Sequence, residues 1–346
     1  MRRITNNVSV SLVALLCFFV LTACAPGQSM KQDVYVGDEL VWTDHQERLE
    51  IRWSGEVHAY PDFKTKRSFL NKLSGFLFGR DAQNLVKPYG LYVDASARFL
   101  VADPGASLVH LMDLDSYGYR LVAHDGSQEF LTPIGVSGDG KEFYFFSDST
   151  RGVVYVGHFD GESPAQFNRK PLIRPTGVAF NDDNWLLYVV DTGAHQVVAL
   201  GLDGLERFRF GSRGAGLGQF NFPTDIWIGN QGRVYINDTL NARVQVFAAD
   251  GTPLQTIGSR GHSPGYLDRP KGIAVDKAGN LYICDSLQDA IQVFDRDGDY
   301  LMTFGVTGQQ PGQFWMPSGL FIDDEKIYVS DSYNARIQIF TYEGKM

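Results

Sequence analysis

The chain has 346 residues, 44% of them hydrophobic and 21% charged, so material for a core is ample and the disorder signature of low hydropathy with high charge is absent. Its 40 acidic residues outnumber 31 basic ones, for a formal net charge of −9. That balance excludes nucleic acid as an expected partner, because phosphate backbones are held through basic surfaces.

Residues 1 to 30 read as targeting rather than fold. Arg2 and Arg3 form a basic start, Val8 to Leu21 an apolar stretch, and Leu21-Thr22-Ala23-Cys24 places small residues before a cysteine. The stretch, about 14 residues with Ser9 and Ser11 inside it, is shorter than the ~20 a spanning helix needs. Leu-Thr-Ala-Cys resembles a bacterial lipobox. The resemblance implies that residues 1–23 are a lipoprotein signal peptide, that Cys24 carries lipid, and that residues 24–47 form a lipidated tether. Ala25 follows where an inner-membrane retention signal would place Asp, which implies an exported, lipid-anchored envelope protein on the periplasmic or surface side of an outer membrane. The alternatives are an ordinary signal peptide and an uncleaved anchor. With Cys17 in the leader and Cys24 lipidated, Cys284 is the remaining thiol and no disulfide is expected.

A strand-like run at residues 48–54, centred on Leu49-Glu50-Ile51-Arg52-Trp53, belongs to no repeat of its own. After it, Phe69, Leu70, Leu73, Phe76 and Leu77 recur at helical spacing behind Ser68 as an N-cap, which predicts an amphipathic helix over 66–80. Lys64, Lys66, Arg67, Lys72 and Arg80 make this segment a basic island. A helix packed on the rim or over a channel is one reading; a contact with an anionic membrane surface or an acidic partner is the other.

From residue 88 the chain repeats. Pro88, Pro133, Pro175, Pro223, Pro270 and Pro317 recur at intervals of 42 to 48 residues, and each is followed 14 to 16 residues later by Asp103, Asp148, Asp191, Asp238, Asp285 or Asp331. A unit runs Pro-x-Gly, strand, polar turn, strand ending in Asp, strand, Gly-containing turn. A single antiparallel meander of that length cannot bury both faces, so six copies must stack around an axis. The expectation is an all-β, six-bladed β-propeller of four-stranded antiparallel blades over residues 48–346. The last copy ends after three strands, so the run near Leu49 is expected to supply its fourth and close the ring, which removes the exposed edges. Residues 162–171 show no clean alternation, which predicts a short or missing outer strand in blade two.

These units, above all Asp331 to Phe340 and Asp238 to Phe247, resemble the NHL repeat over Pro88 to Gly344. The resemblance implies the propeller fold and is weak for function, because such propellers serve as enzymes, sensors and scaffolds.

In an antiparallel blade the start of the first strand and the end of the second share one face. That loop face is expected to carry Arg151, His195, Asn241, Arg243, Tyr333 and Arg336, with Tyr89, Thr176, Thr224, Asp225, Lys271 and Ser318 near the channel mouth. Asp225 and Lys271 stand out, since Asp225 replaces the glycine of the other five copies and Lys271 is the one basic residue at its position. The six repeated aspartates are expected to accept hydrogen bonds from loop backbone; a calcium ion in the channel is the other use of such carboxylates. No other cofactor is expected. Asp295-Arg296-Asp297-Gly298-Asp299 lacks the rest of an EF-hand and reads as a turn.

Amidating lyases of the NHL type place histidine zinc ligands at first-strand starts, and lactonase-like propellers use Glu, Asn and Asp around a metal. Here the seven histidines fall at unrelated repeat positions, and there is no G-x-S-x-G, H-E-x-x-H or P-loop. The expected role is a non-catalytic binding or scaffold propeller holding an envelope protein partner through its loop face or rim. The alternative is a metal-dependent propeller enzyme with its site at the channel mouth.

Overall fold

The computed structural model describes residues 34–36, 39–58, 84–113, 118–122, 130–161, 163–323 and 325–344. The leader, Cys24 and the helix expected over 66–80 lie outside the described residues.

Six antiparallel sheets follow one another along the chain. In blade three the meander runs Pro175–Asn181, Leu186–Asp191, Gln196–Leu200 and Glu206–Phe210. Blade five repeats it as Pro270–Val275, Leu281–Asp285, Ala290–Phe294 and Tyr300–Phe304. Alternation explains the packing, because successive side chains of a strand point to opposite faces and a blade inside a ring has a neighbour on each face. Middle strands are therefore buried throughout, as in Leu281–Asp285 and Ala290–Phe294.

Six apolar clusters fill the six gaps between blades. One joins blades one and two through Leu100, Val109, Tyr144 and Phe146, and another joins blades six and one through Val101, Met112, Tyr328 and Ile337. The gap between blades five and six holds Ile51, Phe304, Phe314 and Phe340. Hydroxyls sew the same joints. Thr192 donates to the carbonyl of Pro223 and Ser332 to that of Pro88, each at 2.6 Å, so blade six is tied to blade one as three is to four.

Closure is by the N-terminal strand. Leu49–Val57 lies antiparallel to Arg336–Gly344, from Gly344 beside Leu49 to Ile337 beside Val57. The strand runs three residues beyond the expected 48–54. A second difference concerns the tether expected over 24–47. Glu39–Thr43 pairs with Leu49–Val57, and Val34–Val36 pairs with Glu39–Thr43, so the last sheet has six strands. The reason is apolar area: Leu40, Val41 and Trp42 are all buried, and the Trp42 ring lies 5.8 Å from those of Phe304 and Phe340. Blade two has the expected weak outer strand, a two-residue Ala165–Gln166.

Pro-x-Gly stands at the start of the innermost strand of five blades. A Cβ at Gly90, Gly135, Gly272 or Gly319 would collide with the backbone carbonyl of Ile134, Thr176, Ser318 or Tyr89 in the next blade. Glycine is thus required there by the closeness of neighbouring inner strands. Blade four is the exception.

Candidate functional site

The inner strands enclose an axial channel of about 200 Å³, lined at one end by Tyr89, Thr224, Asp225 and Ser318. At the other end aromatic rings narrow it, where Phe321 meets Tyr92 and Trp227 edge to face at 5.2 and 5.3 Å. Sequence reading missed these aromatics. Their signal was the fourth residue after each repeat proline, large as Tyr92, Trp227 and Phe321 and small as Ser137, Ala179 and Ala274, because a narrow axis cannot hold six rings.

Asp225 occupies the place of the inner glycine. Its carboxylate accepts the backbone N–H of Ile273 in blade five at 3.0 Å, so the side chain fills the joint that a carbonyl closes elsewhere. Protein surrounds it, and this burial pushes its acid up to about 7, against the pull of the Ile273 and Ile226 amides. Lys271 is the next inner residue of the ring. Burial, followed by the positive charges of Lys87 and Arg269, pulls its ammonium below the ordinary lysine range. Its Nζ lies 5.7 Å from the centroid of the Tyr89 ring. Burial, then the charge of Asp225, raises the Tyr89 phenol. Both charged groups of the mouth are thus displaced towards their neutral forms, and no ion pair joins them. The Oδ1 of Asn237, whose Nδ2 donates to the Lys271 carbonyl at 2.6 Å, is buried without a hydrogen-bond partner.

Cys284 offers no nucleophile. The side chain is fully buried, and burial raises the thiol well above its ordinary value. It is a small packed residue at the inter-blade joint, its Sγ 3.8 Å from the Gly319 carbonyl.

The six repeated aspartates are spent on backbone. Asp103 accepts the amides of Val86 and Lys87, Asp148 those of Leu131 and Thr132, Asp191 those of Ile173 and Arg174, and Asp285 those of Asp268 and Arg269. Asp238 holds Asn221 and Asp331 holds Trp315 in the same way. Among the described residues no group of three or more His, Cys, Asp or Glu could hold a metal ion.

Several expected loop-face residues serve the same carboxylates. Arg243 and Asn241 both donate to Asp238, and Arg336 and Asn334 to Asp331. Arg336, only 2% exposed, also pairs with Glu56 of the closing strand at 2.6 Å. His195 is buried and its Nδ1 accepts the amide of Phe222. Thr176 and Thr224 are hydrogen-bonded to Thr192 and Thr239 at 2.7 Å, and Ser318 to Ser332. Arg151 sits 3.8 Å from Asp148. Tyr333 is 47% exposed, with Lys87 donating to its hydroxyl at 3.1 Å. The structure therefore brings together Tyr89, Thr224, Asp225, Lys271 and Ser318 at the mouth and leaves the others as parts of separate loop anchors.

Comparison with known proteins agrees at the level of fold. A family model described as a 6-bladed beta-propeller matches residues 278–345, and one described as a beta-propeller repeat matches residues 255–284. No curated protein sequence matches. Among solved structures, a protein of unknown function from Bacteroides thetaiotaomicron superposes with a TM-score of 0.61 at 18% identity, over 76% of this chain and 71% of that one. An auxiliary nutrient binding protein of the same organism gives 0.58 at 15% identity over 75% and 70%. Virginiamycin B lyase from Staphylococcus aureus gives 0.57 at 11% identity over 85% and 99%. The chain is a six-bladed β-propeller.

Proposed function

We propose that this chain is a binding propeller of the NHL-repeat type, exported and lipid-anchored at Cys24 in a bacterial cell envelope on the outer-membrane side, and that it holds its partner through the loop face. The observation that carries this reading is the use of the loop-face carboxylates. Each repeated aspartate is committed to backbone amides, so the face is a rigid platform whose repeated carboxylates are structural. The solved relative named as a nutrient binding protein is in keeping with such a role.

The lyase among the structural relatives favours a second reading, an enzyme with its site at the channel mouth. Its chemistry would fall to Asp225, whose acid lies near 7 and suits proton transfer near neutrality, with Lys271 and Tyr89 beside it.

Photo-crosslinkers at Tyr333 on the loop face and at Asp203 in the opposite turns separate the readings when introduced into the full chain in cells. The expected result is partner adducts from position 333 alone, lost from the envelope fraction with Cys24→Ser. Adducts from position 203 alone would overturn the loop-face assignment. A stoichiometric metal whose removal abolishes a measured activity would replace the binder with the enzyme.

A further inference from the structure

The backbone amides that the aspartates fix belong to residues of a particular kind. Two positions before the repeat proline stand Val86, Leu131, Ile173 and Trp315, and these are 53%, 46%, 69% and 45% exposed. In blades four and five that position is polar, Asn221 and Asp268. There the residue two after the aspartate takes over, as Leu240 and Leu287, 39% and 48% exposed.

The two positions are neighbours in space. A Cβ on Gly193 would run into Ile173, one on Gly105 would meet Lys87 and, at 3.1 Å, Val86, and the amide of Leu240 donates to the Asn221 carbonyl at 3.0 Å. Every blade thus raises an apolar tip on the same face, and blade six adds Tyr333 beside Trp315 at 5.8 Å between rings. Exposed apolar residues scattered singly need no explanation, whereas a set repeated in every blade on one face does.

Charge divides the same way. Exposed Arg174, Arg213, Arg260 and Arg269 lie among these loops. Acids of the loop face among the described residues are buried or paired: Asp289 is 9% exposed, Asp268 faces His262 at 3.3 Å, and Glu56 is held by Arg336. Turns at the opposite end carry exposed Glu142, Asp182, Asp183, Asp203, Asp250 and Asp297. Among the described residues the exposed charge of the loop face is therefore mainly cationic, whereas the opposite turns mix their acids with exposed Lys141, Arg233, Lys277, Arg296 and Lys326.

We propose that the loop face docks flat against an anionic lipid surface, with the apolar tips in the headgroup region and the arginines on lipid phosphates. This rests on the reading of the loop face as the binding face and names what it meets. A protein hot spot gathers its apolar anchors at the centre of the patch. Here the centre is the polar mouth of the channel, and the tips stand around it one blade apart. Separate tips flanked by cations suit a fluid interface, where each inserts independently and basic side chains meet anionic headgroups.

The test uses the mature lipidated protein with a nitroxide at Ile173→Cys, or at Asp203→Cys as reference, on vesicles of phosphatidylcholine alone or mixed with phosphatidylglycerol. The expected result is that the label at 173 passes from water into lipid on the anionic vesicles alone while the label at 203 stays in water. Arg174→Glu with Arg269→Glu should reduce the anionic preference by at least about tenfold. A label at 173 that remains in water on vesicle-bound protein overturns the lipid surface and leaves the binding face standing; its protection in envelope extract instead would assign a protein partner. Protein that associates with neither vesicles nor envelope overturns the tethered binder as well.

Discussion

The strand-end aspartates and Asp225 are the same side chain in two settings of one fold, and they behave differently. Asp331 takes the Trp315 amide, Asn334, Gln338 and the Arg336 guanidinium. Burial pushes the Asp103 carboxyl up, but the ring of His110 and the amides of Val86 and Lys87 outweigh it and hold it below the usual value, whereas at Asp285 and Asp331 burial outweighs the hydrogen bonds and raises the carboxyl, less far than at Asp225. Asp225, with two amides to offset its burial, is lifted to about 7. A carboxylate at the repeat position is a structural fastener, and one placed where the repeat asks for glycine is a titrating group facing a channel.

The largest expected effect is on the fasteners. Asp331→Ala leaves Arg336 buried with one of its two carboxylates gone, which should cost about 3–5 kcal/mol and lower the thermal midpoint by on the order of 10 °C. An unchanged midpoint in calorimetry would mean that Asp331 is not a fastener. Gly319→Ala sets a methyl against the Tyr89 carbonyl and should destabilise by about 1–3 kcal/mol in denaturant titrations; by the same measurement Asp225→Gly should lose less, since it restores the residue the joint accepts elsewhere.

Asp225→Asn sharpens the comparison through pH. The folded acid near 7 lies above its ordinary unfolded value near 4, so the folded state holds the extra proton between them. Stability from this group is complete below about 4 and is lost as pH rises to about 7. The variant's thermal midpoint should therefore gain on the wild type across that window and run parallel to it above; a constant gap from pH 4 to 8 would remove the titrating role. Least affected should be Tyr333→Ser, an exposed site, with a stability change within about 0.5 kcal/mol by urea unfolding and a measurable loss only in loop-face attachment.

Much of this was legible in the sequence because repetition averages out local ambiguity: six prolines, six aspartates and an orphan strand at Leu49 suffice for a closed ring. Asp225 was visible as a departure from the column, although the direction of its carboxylate depends on a joint between two blades. The strand Glu39–Thr43 escaped because five residues alternate too briefly to stand out from a tether. Arg243 and Arg336 looked available on the loop face, yet each folds back on an aspartate five residues earlier. The ring of apolar tips was hidden for another reason. It alternates between two repeat positions, so no single column of the repeat reads as hydrophobic.

Closure by Leu49–Val57 also sets an order of events. The strand's partner, Arg336–Gly344, is made after all the earlier blades, and until it arrives the joints on both sides of blade six are open and an apolar edge waits unpaired. A ring built this way cannot close until its sixth blade has been made. The closing strand gains its partner only when the last blade has been made.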